Sequence, residues 1–188
     1  MGFTCPAARR LLPGALRTLR SRHPATDVEL HDLWSAQQVA AVLSGELDVA
    51  FVLGPVRDER LQTRTVLREP LVALLPNGHR LAAQRRVSLT ALATEPLVFF
   101  QRELSPALHS QVHSRARGEG ASLDMRHHVS HPSAIALLVA AGHAVALTTA
   151  ARAALAPGLV TRSLAGPGLA VDVVMVWRAG PVSRPVRA

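Results

Sequence analysis

The chain has 188 residues, of which 48% are hydrophobic and 3% aromatic, and its 21 basic and 13 acidic residues give a formal net charge of +8. This composition excludes a disordered or collagen-like chain, and the length suits one domain or two small lobes. The single cysteine, Cys5, excludes an internal disulfide and any four-cysteine zinc module. We expect no metal and no cofactor, because a chain of this length can bury a core without such staples.

Targeting signals and nucleic-acid motifs are weak. The apolar stretches are far shorter than the roughly 20 residues of a membrane helix, and the first residues do not resemble a secretory signal. We therefore expect a cytoplasmic protein with no membrane partner. All 21 basic residues are arginine and they are scattered along the chain, so direct nucleic-acid binding by this chain is not favoured.

In the first 55 residues the pattern predicts helices and strands in alternation. Leu12, Leu16 and Leu19 share one face of a helix, in which Pro13 predicts a kink or a later start. Ser35 has capping-box spacing and Gly45 gives a stop signal. The predicted elements are a helix over 6–22, a strand over 27–31, a helix over 35–44 and a buried parallel strand over 49–53.

The alternation continues to the end of the chain and predicts parallel sheets with right-handed crossovers. We expect two lobes: residues 1–75 form the first part of lobe I, residues 76–160 form lobe II, and residues 161–188 return to lobe I. The predicted elements are extended segments over 61–68 and 71–75, strands over 97–100, 123–129, 145–147, 159–164 and 169–176, and helices over 106–118, over 132–141 and from 148–149 onward.

Hydroxyl residues stand at several predicted helix starts. In open α/β sheets ligands bind beyond the carboxyl ends of strands, where helix starts offer N–H groups and a partial positive charge. That combination suits an anion, most simply a carboxylate. Each residue could instead be an ordinary cap, but their origin in both lobes favours a binding site. The positions are Thr4, Ser35, Ser105, Ser130, Ser133, Thr148 and Thr149.

Catalytic and metal motifs do not emerge clearly. Cys5 lies near a helix start but lacks an assignable orienting partner, so a packed thiol is favoured over a nucleophile. His109 and His113 share a helix face without the glutamate of a zinc-protease helix, so a solvated face is favoured over a metal site. Arg102 follows a strand and could bind a carboxylate, although a solvated arginine fits equally well. We expect no enzymatic activity; His131 is the residue to replace if one is found.

Seven groups of short segments match one family in sequence order. They are Gly2-Phe3-Thr4 with Leu11-Leu12-Pro13; His23-Pro24; Gln38 to Gly45-Glu46-Leu47-Asp48-Val49-Ala50-Phe51; Glu69-Pro70-Leu71 to Leu75-Pro76; Gly78-His79-Arg80-Leu81-Ala82; Leu138-Val139-Ala140-Ala141-Gly142 with Val145-Ala146-Leu147; and Trp177-Arg178. The chain thereby resembles the effector-binding domain of LysR-type transcriptional regulators, which is similar in fold to type 2 periplasmic binding proteins.

The resemblance implies an α/β fold of two Rossmann-like lobes with a hinge and an interlobe cleft that holds a small-molecule effector. It also implies a homo-oligomer, a dimer or tetramer in the full-length regulator, which binds DNA only through a helix-turn-helix domain that we do not find in this chain. The segment 105–109 is most similar to the branch that senses aromatic carboxylates. Carried over by position, the effector-binding residues are Thr4, Cys5, Pro6, Ser35, Leu53 and Gly54 in the first lobe, and Phe100, Gln101, Arg102, Ser130, His131, Ser133 and Thr148 in the second.

Two departures from the family pattern change the expected effector. Cys5 stands where many relatives have a serine that donates to the effector, and Leu53 stands where some have an arginine, so a less acidic or more apolar effector is implied. The ends resemble a truncated domain, for which we expect marginal stability or association. The alternatives are a stand-alone solute-binding protein of the same fold, an enzyme on a similar fold and a nucleic-acid-binding module.

Overall fold

The computed structural model describes residues 1–180, which divide into two compact units. Unit 1 comprises Met1–Arg68 and the chain from Asp172 onward, and unit 2 comprises Glu69–Val171. The lobe limits that the sequence gives, at 75/76 and 160/161, stay predictions. The last residues of the predicted return segment, 181–188, lie outside the described residues.

Strands and helices alternate along most of the described chain. The strands are β1 (Gly2–Phe3), β2 (His31–Asp32), β3 (Val49–Leu53), β4 (Leu61–Leu75), β5 (Arg86–Val87), β6 (Leu97–Phe100), β7 (His127–Val129), β8 (Val145–Thr149), β9 (Val160–Leu164) and β10 (Ala170–Arg178). The α-helices are α1 (Cys5–Arg10), α2 (Leu12–Arg22), α3 (Ser35–Ser44), α4 (Leu89–Leu92), α5 (Pro106–Gly118), α6 (Pro132–Ala140) and α7 (Ala150–Ala153), with 3₁₀ turns at Arg80–Ala83 and Arg102–Leu104.

In unit 1 the two-residue strand β1 pairs in parallel with both β2 and β3. Strand β3 is buried along its whole length and pairs antiparallel with β10 on its other edge. Helix α3 packs against β3 and supplies part of the core. The buried core residues of this cluster are Ala41, Val42, Leu47, Ala50, Val52, Leu61, Val174 and Val176.

In unit 2 strand β6 pairs in parallel with both β7 and β8, and helix α6 packs against all three. Strand β4 pairs antiparallel with β8 and β9. The prediction of parallel sheets is therefore wrong for the pairs that β4 and β10 make, whereas β9 is antiparallel to β4 and parallel to β5. Apolar periodicity reports burial rather than strand direction, and antiparallel partners need no helical crossover.

Several element limits confirm the sequence pattern, and others correct it. Helix α3 covers 35–44 and ends at Gly45, whose φ of 88° is the left-handed conformation that glycine tolerates. The helix predicted over 6–22 is interrupted at Leu11, and Pro13 lies in the first turn of α2, where its missing N–H costs nothing. The strands predicted over 27–31 and 123–129 form only at their ends, as β2 and β7. Within residues 1–180, each helix is too short or too polar to span a membrane.

Candidate functional site

The predicted residues of unit 1 meet where β1 and β3 end. Because these strands are parallel neighbours with Phe3 beside Phe51, their carboxyl ends lie at one edge of the sheet. Thr4, Cys5 and Pro6 directly follow β1, and Leu53 and Gly54 complete β3. Ser35, the first residue of α3, reaches the same place because its Oγ accepts a hydrogen bond of 3.0 Å from the Leu53 N–H.

Hydrogen bonds to the backbone fix these residues of unit 1. Thr4 Oγ1 donates to the Phe51 carbonyl over 3.1 Å, and the Gly54 N–H donates to the Asp172 carbonyl over 2.8 Å. Thr4, Ser35 and Leu53 are all buried. The bond from Leu53 leaves the Ser35 hydroxyl hydrogen to donate elsewhere. Unit 1 therefore offers a rigid strand edge with one hydroxyl donor.

The prediction that Ser35 caps α3 is wrong by one residue. Trp34 is the residue before the helix, and its N–H donates to Gln37 Oε1 over 3.1 Å. Ser35 instead lies in the first turn and turns its hydroxyl to the end of β3. Thr4 precedes α1 without a side-chain cap bond, because its hydroxyl donates to Phe51. Cys5 is a buried free thiol.

In unit 2 the predicted residues lie at the carboxyl ends of three parallel strands. Phe100 ends β6 beside Val129 of β7, and the Gln101 N–H donates to the Val129 carbonyl over 3.3 Å. Ser130 follows β7 directly, and Thr148 lies in the last part of β8. Parallel pairing of β6 with both neighbours thus brings three of the predicted segments to one edge of the sheet.

The side chains at this edge differ in exposure. His131 caps α6, since its Nδ1 lies 3.3 Å from the donating Ser133 N–H and 2.7 Å from Ser133 Oγ, and both side chains are exposed. Arg102 is also exposed. Thr148 is 1% exposed, and among residues 1–180 its Oγ1 has no hydrogen-bond partner. A buried hydroxyl without a partner costs about 1–3 kcal/mol, so a group that bonded to Thr148 would recover that free energy.

Two charged residues of unit 2 were missed by the sequence analysis. The guanidinium of Arg152, in α7, lies over the Phe100 ring, 5.8 Å from its centroid. Glu69, in β4, is 1% exposed, and its Oε1 accepts a hydrogen bond of 2.6 Å from the Ala151 N–H at the start of α7. The only sequence signal for Arg152 is its place three residues after Thr149, whose hydroxyl accepts from the Arg152 N–H.

His109 and His113 lie side by side on α5, with ring centroids 4.5 Å apart. The His109 ring also contacts Phe99 of β6, at 5.7 Å between centroids, so the pair is half-buried rather than a fully solvated face. Burial lowers the pKa of both imidazoles. The positive charge of Arg102 lowers the pKa of each further.

The family follows from comparison of the whole chain with known proteins. The model of the LysR substrate-binding domain matches residues 1–188. The chain belongs to this family. This LysR domain is 28% identical over 143 residues to the uncharacterized HTH-type transcriptional regulator YnfL of Escherichia coli (strain K12), a match that covers 76% of this chain and 48% of YnfL. The chain thus spans about half the length of the curated relatives it matches, which are transcriptional regulators and not enzymes.

Solved structures show the same fold for this LysR domain. The effector-binding domain of QuiR in complex with shikimate matches with a TM-score of 0.87 at 13% identity, covering 99% of this chain and 90% of that one. The BenM effector-binding domain with its effector benzoate matches with a TM-score of 0.82 at 21% identity, covering 98% and 85%. The predicted α/β fold of two lobes, similar to type 2 periplasmic binding proteins, is confirmed. The hinge and the interlobe cleft stay predictions.

Proposed function

We propose that this LysR domain senses a small ring carboxylate and, within a cytoplasmic homo-oligomeric regulator, passes binding on to a DNA-bound helix-turn-helix domain without catalysing a reaction. The observation that supports a carboxylate effector is the position of Arg152 over Phe100 at the carboxyl edge of β6 and β8. The relatives support the role in transcription, since YnfL is an HTH-type regulator. They give no support to a stand-alone solute-binding protein.

The pairing of Arg152 with Phe100 suits an anion attached to an apolar body. A guanidinium stacked on an aromatic face is held in one orientation, and its planar fork of donors matches the geometry of a carboxylate. Phe100 is buried, which fixes the ring that Arg152 covers. Benzoate and shikimate, bound by BenM and QuiR, are both carboxylates on a six-membered ring. The same class of effector is the one we propose here.

The departures noted in the sequence limit the number of charges on the effector. Leu53 stands where some relatives have an arginine, and it is buried at the end of β3. Cys5 stands where many have a serine, and its thiol is a weaker donor than a hydroxyl. Unit 1 therefore adds the Ser35 hydroxyl but no cation at these positions. We infer a monocarboxylate in preference to a dicarboxylate; its position between the lobes stays a prediction.

The test compares acids with their uncharged analogues by thermal unfolding of the purified chain. Benzoate and shikimate are each measured at about 1 mM beside benzamide and methyl shikimate. A ligand present at 100 times its Kd stabilises by about 2.7 kcal/mol, which raises the Tm by roughly 5–10 °C for a chain of this length. We expect at least one acid to raise the Tm and its uncharged analogue to leave the Tm unchanged.

Matched arginine variants locate the interaction. We expect Arg152→Gln to weaken binding of the stabilising acid at least 10-fold in isothermal titration calorimetry, because the charge-assisted hydrogen bonds from the guanidinium to the carboxylate are lost. Arg85→Gln, which removes an exposed arginine of the same unit outside the predicted effector-binding residues, should change the affinity less than twofold. Equal stabilisation by acid and uncharged analogue, no stabilisation by either acid, or unchanged affinity in Arg152→Gln would each overturn the proposal.

A further inference from the structure

We propose that the α5 histidine pair, His109 and His113, binds Cu²⁺ as a two-nitrogen chelate. The pair lies outside the effector-binding residues and is independent of the effector proposed above. Residues four apart on a helix share one face, and here the two imidazole centroids are 4.5 Å apart with their planes inclined by 42°. Both side chains are partly exposed, so an ion can reach them from solvent.

The distance between the rings fits a shared metal. An ion about 2.1 Å from one nitrogen of each ring lies about 3.2 Å from each ring centre. Two centres 4.5 Å apart then subtend an angle of about 90° at the ion. Neighbouring ligands in square-planar or tetragonal complexes make this angle, which suits Cu²⁺ or Ni²⁺ better than tetrahedral Zn²⁺.

The surroundings of the pair limit which ion is retained. The guanidinium groups of Arg102 and Arg117 are close enough to repel a cation, and the carboxylate of Glu103 lies near His109. This net positive charge favours the divalent ion with the greatest affinity for imidazole, which is Cu²⁺ in the first transition row. Within residues 1–180 no group of three or more His, Cys, Asp or Glu side chains is arranged to hold a metal, so water completes the coordination.

His109 is already held in place before an ion binds. Its ring contacts Phe99, which lies in β6 beside His128 of β7. A chelate binds more tightly when its ligands are already ordered before the ion binds. The contact with Phe99 orders the His109 side chain in this way. The bound ion would therefore link two side chains on successive turns of α5, one of which packs against Phe99 of the sheet, and would stabilise the folded chain.

The experiment is titration of the untagged chain with CuCl₂, followed by the electron paramagnetic resonance spectrum of Cu²⁺ and by the Tm. We expect one tight equivalent whose spectrum shows coupling to imidazole nitrogen, and a rise in Tm at that equivalent. His113→Gln should lower the affinity at least 10-fold, and adding His109→Gln should cause only a small further loss, because the first substitution already breaks the chelate. His143→Gln, which removes an exposed histidine elsewhere in unit 2, is the control and should keep wild-type affinity.

The pattern across variants decides between a chelate and scattered histidines. If each single variant lost only half of the bound Cu²⁺ and kept the same affinity, the two imidazoles would bind independently and the proposal would be wrong. Loss of binding in His127→Gln/His128→Gln with full binding in His113→Gln would place the ion on β7 and overturn it too. His109→Gln removes the contact with Phe99, so His113→Gln, outside that contact, carries the test if His109→Gln fails to fold.

Discussion

The strand edges of the two units hold their polar residues in different ways. In unit 1, Thr4, Ser35 and Gly54 are buried and bonded to the backbone of β3 or to Asp172. In unit 2, five of the seven predicted residues are exposed, and the buried Thr148 hydroxyl has no partner within residues 1–180. Unit 1 uses its polar groups to fix the backbone, whereas most of the predicted residues of unit 2 are exposed. We expect substitutions at the first edge to change stability and substitutions at the second to change affinity.

Glu69 is the exception in unit 2, and its replacement should have the largest effect. Its buried carboxylate accepts the Ala151 N–H and so holds the start of α7, the helix that carries Arg152. Removing a charged acceptor leaves this buried donor unsatisfied, so we expect Glu69→Ala to lower the free energy of unfolding by about 3 kcal/mol. Urea unfolding measures the change. Glu59→Ala, which removes an exposed carboxylate of unit 1, should stay within about 0.5 kcal/mol of wild type.

Gly54 tests how tightly the edge of unit 1 is packed. A Cβ at this position would lie 2.5 Å from Val174 Cγ2 and 3.6 Å from the Asp172 carbonyl oxygen. We expect Gly54→Ala to cost about 2 kcal/mol, since overpacking moves a core side chain or the backbone. Gly118→Ala is the matched control, because a Cβ there meets nothing within 4 Å. Equal unfolding midpoints for the two variants would show that the β3 edge adapts freely.

Replacing Ser35 and Ser133 compares one serine from the strand edge of unit 1 with one from the strand edge of unit 2. Ser35→Ala removes the buried acceptor of the Leu53 N–H, so we expect a loss of about 1–2 kcal/mol, or a fall in Tm of roughly 2–8 °C. Ser133 is exposed and its hydroxyl bonds to the exposed His131, so Ser133→Ala should change stability by less than about 0.5 kcal/mol. The contrast fails if Ser133→Ala destabilises the chain as much as Ser35→Ala does. Differential scanning calorimetry resolves the two.

Sequence patterns were sufficient where one residue decides a local structure. Gly45 ends α3 because its conformation is left-handed, and the apolar run of β3 follows from burial on both faces. They were insufficient where distant residues meet. Arg152 is one of 21 arginines, and only the parallel pairing of β6 with β8 brings α7 near Phe100. Serine at a helix start predicted a cap at Ser35, but the end of β3 offers its hydroxyl a buried N–H instead.

Gly14→Ala should have the smallest effect on stability, and it tests whether the sensitivity of unit 1 to an added methyl group is confined to the strand edge. It is an exposed residue of α2, and a Cβ at this position meets nothing within 4 Å. Alanine loses less backbone entropy than glycine when it is ordered in a helix, so we expect Gly14→Ala to stabilise unit 1 by about 0.5–1 kcal/mol. With Gly54→Ala destabilising the same unit, the two changes would have opposite signs for one added methyl group. That result would show that an added methyl group destabilises unit 1 only where the end of β3 is tightly packed. Destabilisation by Gly14→Ala would show that the outer face of α2 does not tolerate it either.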